Sequence, residues 1–214
     1  MDDNKLISKA FLWMFMGLLV TFVTGYAVSL NDNMLLNIFG SAFYIIVLVE
    51  FLLVLFLSAR IFKMNPTTAK ASFLLYSFVS GLTFSTVFVV YNIGSVMFVF
   101  LVTAALFGIM ALLGYTTSID LTRFGTYLFI GIIGVLLVSF INIFMGNSTL
   151  ALVLSIICII LFMGITAYDV QKMKRLNSMS LPVDNLAIYG ALDLYLDFIN
   201  IFLHLLDIIG KNDN

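Results

Sequence analysis

Apolar runs of about twenty residues, each closed by a few polar positions, recur seven times along this chain. A helix crossing a hydrocarbon core of about 30 Å needs about 20 such residues. That template predicts spans near 10–30, 35–61, 67–91, 95–116, 124–145, 149–171 and 185–210. The connections are too short for a soluble domain, so residues 1–214 are expected to form one integral membrane domain. Backbone in lipid must hydrogen-bond within its own segment, which makes the spans helices. The predicted fold is therefore an all-α, seven-transmembrane-helix bundle. Local punctuation agrees: Asn65-Pro66 supplies an N-cap and a first-turn proline ahead of the third span. Pro182, the other proline, precedes Asp184 at the start of the seventh. Gly81 with Ser85, Ala104 with Gly108, and Gly131 with Gly134 and Val135 offer small faces for close helix approach. The first run, 11–30, is too long for the apolar core of a signal peptide and lacks a cleavage pattern, so it reads as the first span.

Composition narrows the function. Of 214 residues, 63% are hydrophobic and 10% charged, against about 25% charged in soluble domains. A net charge of −1 leaves no basic surface for nucleic acid. Cys158 lies in an apolar run and reads as a small buried hydrophobe. The 22 Phe and 11 Met read as packing and lipid-facing residues. No metal-spaced histidine cluster, nucleophile elbow or phosphate loop is present, so neither an enzyme nor a resident cofactor is expected. An intramembrane aspartyl protease, which also needs two aspartates on neighbouring helices, is the one enzyme class weighed against this.

The positive residues are sorted by side. Lys5, Lys9, Arg60, Lys63, Lys70, Arg123, Lys172, Lys174 and Arg175 all fall on one face, whereas 31–34, 92–94 and 146–148 carry none. The positive-inside rule makes that face, and the N-terminus, cytoplasmic. Seven full spans would put Lys211 outside, and a re-entrant last segment would return it. The expected location is a membrane, with the N-terminus on its cytoplasmic side.

The last segment, "GALDLYLDFINIFLHLLDIIG", holds the chemistry. An ionised side chain at mid-bilayer costs about 2.5–3.5 kcal/mol on insertion scales, so such groups face a protein interior or a wet cavity. At 100° per residue Asp193, Asp197, Asn200, His204 and Asp207 fall within about 80° of one another. This stripe places the last helix in the middle of a bundle or along a water-filled path. In the sixth span, Asp169 precedes Lys172 by one turn, and Ser155, Cys158 and Thr166 share its face. Glu50 lies about 15 Å from Arg60 along the second span, so it needs a proton, a cation or a partner from another helix. The bland alternative for Asn200 is an interhelical packing bond, for Asp169 an interfacial contact with lysines, and for His204 neutralisation of Asp207. Two carboxyls in a low-dielectric site tend to share one proton, and when ionised they offer the oxygen ligands Ca2+ prefers.

"AYDVQ" at 167–171, "GALDLYLDFINIF" at 190–202 and "YSFVSGLTFS" at 76–85 resemble the signatures of the Bax inhibitor family (transmembrane Bax inhibitor motif proteins). The resemblance covers essentially the whole chain and looks like a bacterial-type member. It implies a seven-helix bundle with the C-terminal helix central. It implies a pH-sensitive calcium leak in which Asp169 and Asp197 form a proton-sharing pair that also meets Ca2+. It further implies that Arg60 associates with Asp169 and helps latch the closed state. Asp193 stands where the family more usually has a small polar residue, and makes the mouth more acidic. Pairing of the two aspartates requires the membrane core of the last helix to begin near 194, leaving 194–210, about 25 Å, to cross. Two rival functions are a proton-coupled secondary transporter, whose mark would be inverted repeats or broken helices, and a stress-response interaction protein whose buried charges only fix packing.

Overall fold

The computed structural model describes residues 3–177 and 182–210. The expectation about Lys211 lies outside the described residues. Among them there is no strand, and seven of eight α-helices are long and apolar enough to cross a membrane. These are α1 (Asp3–Ser29), α3 (Phe43–Arg60), α4 (Pro66–Val90), α5 (Ile93–Thr116), α6 (Thr122–Met145), α7 (Ser148–Leu176) and α8 (Val183–Ile209); the short α2 is Asp32–Asn37. The protein is an all-α integral membrane protein.

The second span departs from expectation. A single helix over 35–61 is predicted, but the path breaks at Gly40, whose ψ of −143° is not helical. Glycine in a helix interior costs about 1 kcal/mol relative to alanine, and a β-carbon at Gly40 would meet nothing within 4 Å. A wide turn over Ile38–Ala42, with Gly40 at its centre, joins α2 to α3. The other boundaries shift modestly. One shift matters: α7 continues to Leu176, so Asp169 sits about two turns inside the helix and not at its end. The predicted cap of α4 is present, with Asn65 Oδ1 accepting from Thr67 N at 2.8 Å.

The chain divides into two compact units, Met1–Ile93 with Met173–Tyr195, and Gly94–Lys172 with Leu196–Asn214. In the first, α1 and α4 meet along small residues. A β-carbon on Gly81 would press on Thr24 and on the Thr21 carbonyl, one on Gly25 on the Gly81 carbonyl, and one on Gly17 on Phe73 and Ser77. Gly17, Thr21 and Gly25 thus face Ser77, Gly81 and Ser85 at four-residue spacing, the pattern that lets membrane helices approach closely. The start of α8 is fastened here too. Asp184 accepts from Lys9 at 2.9 Å and from Lys70 at 2.6 Å. Fully buried Asn185 donates from Nδ2 to the carbonyls of Ile61 and Met64 in the connection between α3 and α4.

Tyr195 is the largest fully buried side chain of α8. Its hydroxyl lies 2.7 Å from Thr21 Oγ1 and donates to Ser80 Oγ at 3.0 Å, while Phe73 and Tyr76 pack edge-on against its ring. Hydrogen bonds between membrane helices average about 0.6 kcal/mol each. Tyr195→Phe is therefore expected to lower stability by about 1 kcal/mol, read as a shifted midpoint of unfolding in mixed micelles. A change below a third of that would mean the hydroxyl contributes nothing.

In the second unit the expected faces hold only in part. Gly131 packs on Leu161, but Ala104 and Gly108 are exposed, and β-carbons on Gly108 and Gly134 would meet nothing. The closest crossing is elsewhere: a β-carbon on Gly114 of α5 would run into the backbone of Ala167 on α7. Gly125 of α6 likewise lies flat on the ring of Tyr168.

Candidate functional site

Every residue of "AYDVQ" has a defined place. Ala167 sits under Gly114 and Tyr168 under Gly125. Val170 is fully buried. Gln171 pins the connection between α5 and α6, accepting from Leu121 N at 2.8 Å and donating to the Ile119 carbonyl at 2.7 Å. These contacts fix the rotation of α7, and they turn Asp169 inward with 4% of its surface exposed. Lys172, one turn on, brings Nζ to 3.6 Å from Asp169 Oδ1 and lies 6.0 Å above the ring of Tyr168.

Asp197 on α8 belongs to the same unit and is 3% exposed. The next residue, Phe198, packs against Phe100 and Phe107 of α5 with ring centroids 5.3 and 5.6 Å apart. Among the described residues, Asp169 and Asp197 are the two buried charged side chains.

The rest of the polar stripe does different work. Asn200 donates to the Leu196 carbonyl of its own helix at 2.7 Å, so the bond is intrahelical. Asp193 is half-buried in the first unit, where Arg60 is exposed at the end of α3. Glu50 does find a partner from another helix, since Thr83 of α4 donates to its Oε2 at 2.8 Å. His204 and Asp207 are drawn together by Ser155. Ser155 shares the Asp169 face as expected, but it stands about 21 Å along the axis from that residue, at the opposite end of α7.

Sequence reasoning missed several partners. The glycine at 114 gives no sign of its neighbour, and Thr21, Ser80 and Thr83 are ordinary residues in apolar runs. Asn185 follows Asp184 in a stretch read only as a helix start. Among the described residues no group of three or more His, Cys, Asp or Glu side chains is arranged to hold a metal ion.

Comparison with known proteins agrees with these motifs. The model of the family described as "Inhibitor of apoptosis-promoting Bax1" matches residues 3–214. The inner membrane protein YbhL of Escherichia coli strain K12 is 41% identical over 212 residues, covering 96% of this chain and 91% of its own. A protein of Borreliella burgdorferi is 40% identical over 217 residues, covering 99% and 94%. One of Deinococcus radiodurans is 33% identical over 210 residues, covering 97% and 90%. With a family model matched from the first turn of α1 onward, and relatives aligned over nearly their whole length, the chain belongs to the Bax inhibitor family.

Proposed function

We propose that the protein is a pH-sensitive calcium leak channel, with Asp169 and Asp197 as its proton-sharing gate. The observation that carries this reading is that these two are the buried charges among the described residues, on consecutive helices of one unit. Isolated ions are expelled from apolar surroundings. Two carboxyls kept there without an enzyme's constellation are suited to exchanging a proton for a cation. Ca2+ prefers six to eight oxygen ligands. Two aspartates supply only part of that shell, so the ion keeps water, as suits passage more than storage. No resident cofactor and no chemical step are part of the proposal.

The latch is assigned by resemblance to Arg60, while Lys172 provides a second cation within 3.6 Å of Asp169. The proposed location is the bacterial inner membrane, as for the inner membrane protein YbhL, and the distribution of positive residues makes the N-terminus cytoplasmic in this proposal. A transporter with broken helices is disfavoured at this site, because α7 and α8 run unbroken through both aspartates.

The test is Ca2+ flux from liposomes holding the purified protein, measured at several pH values. Wild type is expected to vary several-fold across neutrality, and Asp169→Asn and Asp197→Asn are each expected to flatten that profile, because an amide cannot exchange the proton. A pH profile unchanged in both variants would sink the proposal.

A further inference from the structure

Glu50 is the acidic residue of α3, and it lies near the middle of that span, about 10 Å from Phe43 at one end and about 15 Å from Arg60 at the other. Only 11% of the span is buried inside the protein. Leu48, Val49, Phe51 and Leu52 around Glu50 are exposed, as suits a helix that faces lipid. Glu50 itself is half-buried. Among the described residues no lysine, arginine or histidine nitrogen stands within ion-pair distance of it. What meets it is neutral. Thr83 of α4 donates to its Oε2 at 2.8 Å, and the titratable groups facing it are the phenols of Tyr76 on α4 and Tyr195 on α8.

We propose that Glu50 is a proton-binding site at the lipid edge of α3, its carboxyl held there as the neutral acid. An ionised carboxylate in apolar surroundings needs a cation or several donors. A single hydroxyl falls short of that, and taking up a proton removes the charge instead. The proton also bears on packing. Thr83 Oγ1 stands 2.8 Å from both Glu50 Oε2 and the Ser80 carbonyl, with one hydrogen to give. An ionised Glu50 draws that hydrogen more strongly than a neutral one. Protonation therefore loosens the tie between α3 and α4 and leaves Thr83 to its own helix. Asp169 and Asp197 belong to the other unit, so the Glu50 site is independent of the proposed calcium gate.

A carbodiimide tests for the proton, because the neutral acid protonates one carbodiimide nitrogen while its oxygen adds to the central carbon. The O-acylisourea so formed shifts its acyl group to nitrogen, and the whole reagent is retained with no leaving group. The full-length protein in liposomes is treated with dicyclohexylcarbodiimide, which partitions into lipid, and in parallel with a water-soluble carbodiimide. Peptide mass spectrometry locates the adducts. Wild type is expected to carry the dicyclohexyl adduct at Glu50 at neutral pH, and labelling is expected to fall several-fold in alkali as the acid ionises. The water-soluble reagent is expected to leave Glu50 unmodified. Thr83→Val removes the donor that favours the carboxylate, so its adduct is expected to persist to higher pH. Asp197→Asn is expected to keep wild-type labelling, which separates failure of this site from failure of the leak reading. Absence of the adduct at Glu50 in wild type would overturn the proposal, as would equal labelling by the water-soluble reagent.

Discussion

Gly114→Ala is expected to destabilise the protein more than any other single methyl group added to its helices. The new β-carbon would meet the main chain of Ala167, which cannot turn aside as a side chain can. Overpacking against movable side chains costs about 1–3 kcal/mol, so a cost of at least about 3 kcal/mol is expected here, and Gly114→Leu is expected to prevent folding. Gly108 is the internal control on the same helix. A β-carbon there meets nothing within 4 Å, and relief of the glycine penalty makes Gly108→Ala neutral or stabilising by up to about 1 kcal/mol. Unfolding midpoints in mixed micelles would separate the two. Similar midpoints for both variants would show that the α5–α7 crossing is not tight. The displacement also has a functional side, because Asp169 lies two residues beyond Ala167 and moves with it.

Asn185→Asp is expected to be nearly as severe. The Asn185 amide donates to two backbone carbonyls, of Ile61 and Met64, within the turn that joins α3 to α4. A carboxylate has the same shape but no donor, and it would set negative charge against two carbonyl oxygens. Leaving a buried polar group without its partner costs about 1–3 kcal/mol, so losing both bonds costs about 2–5 kcal/mol. Asn185→Ala is expected to cost less than Asn185→Asp at neutral pH, because it removes the donor without adding repulsion. Thermal denaturation in detergent checks the order. A reversed order would show that the two carbonyls do not govern this position.

How much of this was legible depends on how local each cause is. The seven spans follow from run length, and the cap at Asn65-Pro66 from two adjacent residues, so both could be read directly. The break at Gly40 could not, because a lone glycine in an apolar run looks the same where the helix continues, as at Gly108 in α5. The same limit explains the glycines. Ala104 with Gly108 and Gly114 look alike in sequence, yet only Gly114 is pressed against another backbone. The polar stripe of α8 rightly marked a helix needing protein cover, but periodicity assigns a face and not a partner. Within that one face, Asp197 is buried, Asn200 bonds to its own helix, and His204 and Asp207 gather on Ser155. Ser155 shows the limit most plainly: it shares a face with Asp169, but a helical wheel removes depth, and depth is what separates the two.

Among the seven spans, Val183–Ile209 has the lowest mean hydropathy and, at 72%, the largest share buried inside the protein. A helix bearing Asp193, Asp197, His204 and Asp207 gains little from lipid on its own. Synthesis proceeds from the N-terminus, so this segment leaves the ribosome after the other six spans. The helix least able to enter a bare bilayer therefore arrives when the surfaces that receive it are already in the membrane. Chain order here doubles as assembly order, and the acidic helix is delivered to protein instead of to lipid.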